Sequence, residues 1–260
     1  MSDTSNIVVR VRNLKVGYGD TVILHNINFD VECGEVFVIL GGSGSGKSTL
    51  LKSLIGLVAP LEGEIWIEGI NLLSASGKER RDLLHKFGVA YQSGALFGSM
   101  TLLENVRLPL DELTARPEPL KELAALAKLK LVGLGASVEK MPAELSGGMQ
   151  KRAAIARAMA LDPGILFLDE PSAGLDPVTA ADLDLLIKEL ARLFGITFVI
   201  VSHDLASIYS IADRVILLDS LTKTISVEGQ PAQLRDTVTD PRVRRFFRRE
   251  PDVEASSTHL

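Results

Sequence analysis

A glycine-rich segment at residues 41–48 most narrows the folds available to this chain. It reads Gly-Gly-Ser-Gly-Ser-Gly-Lys-Ser and matches the pattern Gly, four residues, Gly-Lys-Ser. The apolar run at residues 35–40 predicts a buried strand before it, and residues 47–57 predict a helix after it. Glycines let backbone N–H groups curl around an anion, and a helix start adds partial positive charge. The segment therefore predicts a phosphate-binding loop (P-loop) in an α/β fold.

Within the P-loop, two side chains can contact the nucleotide or its metal ion directly. Lys47 can place a positive charge on the outer phosphates of a nucleotide, and the hydroxyl of Ser48 can ligate Mg²⁺. The alternative is a plain glycine- and serine-rich turn, which the strand before it and the helix after it disfavour. The predicted nucleotide contacts here are Gly41, Gly42, Ser43, Gly44, Ser45, Gly46, Lys47, Ser48 and Thr49.

A second apolar run, residues 165–168, ends in two acidic residues, Asp169 and Glu170. A carboxylate at the end of a strand can reach Mg²⁺ beside a P-loop, and we assign this role to Asp169. Because adjacent strand residues point to opposite sides, we expect Glu170 to face the attacking water as general base. Taken alone, two acids that simply end a strand at the surface are an equal alternative.

Residues 145–150, Leu-Ser-Gly-Gly-Met-Gln, come directly before another helical stretch. Ser146 is a favoured N-cap residue, and Gly147 and Gly148 leave backbone N–H groups accessible. The chain thus has two helix starts suited to phosphate, although the P-loop already serves one nucleotide. The simplest resolution is that the second start faces a nucleotide held by another copy of the chain.

The order of these motifs resembles the ATP-binding subunits of ABC transporters, with Leu-Ser-Gly-Gly as the family signature. The resemblance covers about residues 7–235 and implies ATP and Mg²⁺ as cofactors and a head-to-tail homodimer. It also implies that Tyr18 stacks on adenine and that Gln92 contacts Mg²⁺ and water. By the same resemblance, Asp176 lies in a loop at the dimer interface and His203 contacts the γ-phosphate. Met149 stands where many members have glutamine.

The resemblance completes the predicted site. The catalytic residues are Glu170, His203, Lys47 and Gln92, and the metal ligands are Ser48, Gln92 and Asp169. The cofactor-binding residues outside the P-loop are Tyr18, Ser146, Gly147, Gly148 and Asp176. Each has a structural alternative: Tyr18 as a turn aromatic, Gln92 as a polar strand end and His203 as a structural histidine.

Strand-like and helical segments alternate after residue 163, which predicts a parallel sheet with helical crossovers. The predicted fold class is an α/β P-loop ABC ATPase core, mainly parallel, with an antiparallel N-terminal β part and an inserted α-helical subdomain. The expected domain is residues 1–235, with the core at 1–98 and 163–235 and the helical subdomain at 99–162. Residues 236–260 are expected to form a C-terminal tail.

Two further segments, residues 91–106 and 240–247, resemble the Mla-type ATPases of bacterial lipid trafficking. This resemblance implies phospholipid transport through a separate permease, with a lipid-binding protein of the MCE type in the complex. It places the chain at the cytoplasmic face of the inner membrane, bound through the permease. An importer subunit for amino acids or ions is the main alternative. A soluble ABC ATPase of DNA repair or translation is disfavoured by the single cassette.

Composition restricts the remaining function classes. A net charge of −5 gives no overall basic field, so we expect no nucleic-acid partner. Cys33 is the one cysteine in the sequence. From the composition of residues 1–6 we expect no secretion leader. The apolar runs are too short to cross a bilayer. The basic cluster of the tail predicts a solvated helix, docking on a partner copy, or contact with anionic lipids; it comprises Arg242, Arg244, Arg245, Arg248 and Arg249.

Overall fold

A computed structural model describes residues 6–248 of the chain. The predictions for residues 1–5, for Arg249 and for the part of the tail after it lie outside the described residues. The strands are β1 (Ile7–Tyr18), β2 (Thr21–Glu32), β3 (Val36–Gly41), β4 (Glu62–Ile67), β5 (Ile70–Asn71), β6 (Phe87–Ala90), β7 (Ile165–Asp169), β8 (Thr197–Val201), β9 (Arg214–Asp219) and β10 (Thr224–Gly229).

The helices alternate with the strands in the second half of the chain and cluster in the middle. They are α1 (Lys47–Leu54), α2 (Gly77–Leu84), α3 (Leu102–Leu113), α4 (Glu118–Leu131), α5 (Gly147–Ala158), α6 (Pro177–Phe194), α7 (Leu205–Ile211), α8 (Pro231–Thr237) and α9 (Pro241–Arg248). A short 3₁₀ helix covers Pro142–Glu144. Within residues 6–248, no helix has the length and apolar character needed to cross a membrane.

Two sheets form the framework. The four-stranded sheet has the order β2-β1-β4-β5 and is antiparallel. The six-stranded sheet has the order β10-β9-β3-β8-β7-β6, parallel except where β10 pairs antiparallel with β9. This arrangement confirms the predicted α/β fold with an antiparallel N-terminal part. It also brings the carboxyl ends of β3, β7 and β8 to one edge.

The side chains of β3 divide the core into two apolar layers. Val36, Val38 and Leu40 pack on the side of α5, α6 and α7. Phe37 and Ile39 face the opposite layer, which contains α1 and the antiparallel sheet. Every residue of β3 is buried, as expected of a central parallel strand covered on both faces. The P-loop thus follows a strand held rigidly between two layers.

The sequence-based helix and strand predictions differ from the structure mainly in the first third. Helix α1 ends at Leu54 and not at residue 57, because Gly56 has a positive φ of 75° that ends the helix. Residues 62–90, for which no elements were predicted, contain β4, β5, α2 and β6. Strands β9 and β10 pair as an antiparallel hairpin.

The predicted helical insertion, residues 99–162, contains α3, α4, the 3₁₀ helix and α5 and no strand among the described residues. Its first helix starts where the sequence specifies it, because Thr101 and Glu104 form a reciprocal capping box. The buried Asn105 then fixes the preceding loop through hydrogen bonds to the carbonyls of Phe97 and Met100. The exact subdomain bounds stay a prediction.

Candidate active site

The P-loop joins β3 to α1, and the side chain of Lys47 at its end hydrogen bonds the residues at its start. Its Nζ donates hydrogen bonds to the carbonyls of Gly41, at 2.7 Å, and Gly42, at 3.0 Å. Burial lowers the pKa of Lys47, and the charges of Glu170 and Asp169 oppose that shift. A desolvated ammonium bound only by carbonyls is placed to exchange them for phosphate oxygens. Ser48 is exposed at the start of α1, and Thr49 is partly buried one residue further on.

The loop requires glycine at Gly46, which has a φ of 94°. A Cβ there would lie 2.8 Å from Cγ2 of Ile23 and 2.9 Å from Cγ of Leu24. Strand β2 therefore touches the P-loop directly. Tyr18 lies at the end of β1, paired with Thr21 at the tip of the same hairpin, and is 51% exposed. Its ring is therefore accessible to a ligand, and the predicted stacking on adenine stays a prediction.

Asp169 is the last residue of β7, and its Oδ1 is buried without a hydrogen-bond partner within residues 6–248. Burial raises the pKa of its carboxyl group; the neighbouring Glu170 adds to the shift, while Lys52 and Lys47 oppose it. Asp169 and Gln92 line one open cavity of about 540 Å³. The predicted metal ligands at the ends of β6 and β7 thus lie together.

The direction of the Glu170 side chain is not set by strand alternation, which was the predicted reason for it. Strand β7 ends at Asp169, and Glu170 has a φ of 47°, so the alternation of strand residues does not apply to it. Its backbone N–H donates to the carbonyl of Val201, at 2.9 Å. Its carboxylate oxygens both lie 2.8 Å from Nδ1 of His203. The carboxylate of Glu170 is thus held against His203, the second residue after β8.

The signature segment starts α5 as the sequence predicts. The Ser146 hydroxyl accepts a hydrogen bond from the N–H of Met149, at 3.3 Å. Gly147 is exposed, whereas Gly148 is buried against Thr179, the third residue of α6. Within residues 6–248, no hydrogen bond joins these residues to the P-loop. Within one copy, the described hydrogen bonds therefore do not link the two predicted phosphate sites.

Asp176 is the N-cap of α6. Its side chain accepts hydrogen bonds from the N–H groups of Val178 and Thr179, both at 3.1 Å, and from the Thr179 hydroxyl, at 2.5 Å. The Thr179 hydroxyl and the two N–H groups lower the pKa of Asp176. The structure gives Asp176 this capping role, and its predicted role at a nucleotide stays a prediction.

Sequence reasoning missed one residue of the site. Lys151 in α5 hydrogen bonds the carbonyls of Gln92 and Glu170. No motif at residues 145–152 indicates this contact, because both acceptors are backbone atoms distant in sequence. Only the fold could identify it.

The P-loop, the Asp169–Glu170 strand end and the signature helix together define an ATP-hydrolysing cassette. The family model described as ABC transporter matches residues 24–173, and the chain belongs to the ABC transporter family as one of its ATP-binding subunits. It is thus an ABC-type ATPase.

Named relatives agree with this assignment. The chain is 40% identical to the intermembrane phospholipid transport system ATP-binding protein MlaF of Haemophilus influenzae. The match covers 94% of this chain and 92% of that relative. It is 41% identical, over 93% of its length, to the probable ribonucleotide transport ATP-binding protein mkl of Mycobacterium leprae, and spans 69% of that relative.

A solved structure supports the fold independently. The post-hydrolysis dimer of the ATP-binding cassette MJ0796, bound to ADP and Pi, superposes with a TM-score of 0.76 at 33% identity. The match covers 85% of this chain and 98% of that one. The solved cassette is a dimer with the hydrolysis products ADP and Pi bound.

Proposed function

We propose that this chain is the ATPase subunit of a transporter that moves phospholipids across the cell envelope. Two copies act as a homodimer at the cytoplasmic face of the inner membrane and bind it through a separate permease. An MCE-type lipid-binding protein belongs to the same complex. ATP binding closes the dimer, and hydrolysis of the γ-phosphate reopens it.

The donor set of the site suits Mg²⁺. The unpartnered, buried Oδ1 of Asp169 supports this assignment, since Mg²⁺ prefers oxygen ligands and neutralises such a carboxylate. Ser48, Gln92 and Asp169 would hold the ion, which when bound neutralises charge on the phosphates.

Glu170 and His203 act at the γ-phosphate. In this proposal Glu170 accepts the proton of the attacking water, and His203 donates a hydrogen bond to the phosphate while its Nδ1 contacts Glu170. Lys47 replaces its two carbonyl contacts with phosphate oxygens. Tyr18 stacks on adenine. Catalysis in this scheme is mostly positioning and charge stabilisation.

Within residues 6–248, the signature start makes no hydrogen bond to the P-loop of its own copy, and this observation carries the dimer proposal. Each ATP would lie between the P-loop of one copy and Ser146, Gly147 and Gly148 of the other. A mixing experiment tests this. Lys47→Ala damages the P-loop side and Ser146→Arg the signature side, so each homodimer is inactive.

Mixing the two variants gives heterodimers with one doubly damaged site and one intact site. Because random pairing makes half the dimers mixed, we expect about a quarter of wild-type hydrolysis to return. A mixture of pre-formed homodimers that cannot exchange subunits is the control. Activity of the Ser146→Arg variant alone at the wild-type level would contradict the shared site.

The cargo proposal is supported by the similarity to MlaF over most of both chains. The similarity to mkl, named for ribonucleotide transport, favours nucleotides as a second candidate cargo, beside the amino acids or ions of other importers. The test reconstitutes the chain with its permease in vesicles and measures ATP-dependent movement of labelled phospholipid and of labelled ribonucleotide. Transport of the ribonucleotide without phospholipid movement would overturn the lipid assignment.

A further inference from the structure

Helix α5 begins at the signature segment, and two of its cations bind the loop that contains Gln92. Lys151, in the second turn of α5, donates from Nζ to the carbonyl of Gln92 and, at 3.3 Å, to the carbonyl of Glu170. One ammonium group thus bridges two segments that contribute catalytic side chains. These acceptors are 59 and 19 residues away in sequence.

Arg157, near the end of the same helix, binds the next residues of that loop. Its Nη1 donates to the carbonyl of Ala95, at 2.8 Å, and its Nη2 to the carbonyl of Gly94, at 3.1 Å. Ala95 has a φ of 48°, an unfavourable conformation for a residue with a side chain. The two hydrogen bonds from Arg157 offset part of that cost and hold the loop against α5.

The far side of the loop is fixed as well. The buried side chain of Asn105 bonds both the N–H and the carbonyl of Phe97. Residues 92–95 are therefore tied to α5, and residue 97 is tied to α3. Since the loop has little freedom of its own, a displacement of α5 relative to the parallel sheet must change the position of Gln92.

We propose that Lys151 is a positioning residue for ATP hydrolysis: it couples the signature helix α5 to the backbone of Gln92 and Glu170 in the same copy. When Ser146–Gly148 close on the nucleotide of the partner copy, Lys151 transmits that movement to its own catalytic segment. The proposal rests on the assigned roles of Gln92 and Glu170. Through Lys151, nucleotide binding at the site shared with the partner copy would set the position of Gln92 and Glu170 in the other site of the dimer.

The charge of Lys151 is suited to this role. Burial lowers the pKa of its ammonium group, while Asp169 and Glu170 favour the charged form. A desolvated cation held by carbonyl oxygens resists displacement more than an exposed lysine does. Like Lys47, it also adds positive charge that interacts with Asp169 and Glu170.

The test compares Lys151→Met, Lys151→Arg and a matched control. Methionine keeps most of the side-chain length and volume but removes the three donors, whereas arginine restores donors and charge. Lys130→Met is the control, because Lys130 is exposed on α4 and has no side-chain hydrogen bond or ion pair within residues 6–248.

For Lys151→Met we expect kcat to fall about 10- to 100-fold, since misplacement of catalytic groups by about 1 Å has effects of this size. The KM for ATP, the binding of a fluorescent ATP analogue and the melting temperature should stay close to wild type. Lys151→Arg should recover most of kcat, and Lys130→Met should match wild type in every measurement.

Two outcomes overturn the proposal. One is wild-type kcat in Lys151→Met. The other is a loss of kcat that is matched by equal losses in ATP affinity and melting temperature and is not rescued by arginine, which would indicate a purely structural tie. The wild-type and Glu170→Gln proteins are assayed in parallel. Absence of hydrolysis in the wild type would instead reject the proposed function itself, and full hydrolysis in Glu170→Gln would remove Glu170 from its role as general base.

Discussion

Nδ1 of His203 lies 2.8 Å from both carboxylate oxygens of Glu170, although the two residues are separated by 33 positions in sequence. Neighbouring parallel strands β7 and β8 create this contact, because Asp169 pairs with Val201 and both strands end at the same edge. Glu170 is almost fully buried, whereas the His203 side chain is 64% exposed. The pair thus presents an oriented carboxylate beside a histidine that is accessible to a ligand.

Replacing Glu170 by glutamine should abolish turnover without preventing ATP binding. The amide keeps the shape of the side chain but cannot accept a proton from water. Removal of a general base typically slows a reaction about 10²- to 10⁴-fold, and we expect phosphate release to fall by that factor. Size-exclusion chromatography with ATP should show a stable dimer. The exposed Glu189→Gln on α6 is the control, and near-normal steady-state hydrolysis by Glu170→Gln would remove Glu170 from this role.

Replacing Lys47 by alanine should weaken nucleotide binding itself. Hydrogen bonds from a charged donor contribute about 1.5–3 kcal/mol, so the Kd for ATP should rise about 10- to 100-fold. Equilibrium titration with a fluorescent ATP analogue measures this directly. Lys78→Ala, an exposed position in α2, serves as the control. Equal affinity in the two variants would argue against phosphate contact by Lys47.

Local signals explain which parts of the fold the sequence predicts. The P-loop and the strand before it are specified within a single segment, and β3 precedes the loop as predicted. Strands β4 and β5 have no such signal: β4 is a six-residue strand and β5 has two residues. They are stabilised by pairing with β1 and with each other. The structure of β4 and β5 depends on strand pairing, and a short window of sequence carries no information about the partner strand.

The same distinction applies to the site. Family motif order identifies Glu170 and His203, but the left-handed backbone of Glu170 contradicts the alternation argument for its direction. In that backbone conformation its N–H donates a hydrogen bond to the carbonyl of Val201, a tertiary contact. Lys151 was missed because its partners are carbonyl groups, which every residue has. The chemistry of a side chain can be predicted from the sequence, whereas its contacts with backbone atoms can be identified only from the three-dimensional structure.

The packing of Gly148 against Thr179 gives a third prediction. A Cβ at position 148 would lie 2.4 Å from Cγ2 of Thr179, and the threonine cannot rotate freely because its hydroxyl bonds Asp176. Gly148→Ala should therefore destabilise the protein by about 1–3 kcal/mol, the usual cost of overpacking. Urea unfolding followed by circular dichroism measures the change.

A second substitution provides the matched rescue. Thr179→Ser removes Cγ2 but keeps the hydroxyl that bonds Asp176, so the double variant Gly148→Ala, Thr179→Ser should regain most of the lost stability. Thr179→Ser alone should be close to wild type. If the double variant is no more stable than Gly148→Ala, the clash with Thr179 is not the cause.

Asp184 on α6 gives the final prediction, a pH-dependent gain in stability on substitution. Burial raises the pKa of its carboxyl group to about 6; Ser207 opposes the shift, Asp204 adds to it and Lys188 opposes it. Because the folded-state pKa lies above the ordinary 3.8, the folded protein binds more protons than the unfolded chain between these values. The contribution of Asp184 to stability is therefore favourable at low pH and is lost as pH rises through about 6.

Asparagine at position 184 removes the cost of ionising a buried carboxyl group. At pH 8 we expect Asp184→Asn to be more stable than wild type by about 1–3 kcal/mol, and the difference should shrink as pH falls to about 5. Thermal melts of both proteins across this range provide the measurement. Asp182→Asn, an exposed position on the same helix, is the control. A stability difference independent of pH would mean that the substitution acts through packing, because only a change in ionisation links the gain to proton concentration.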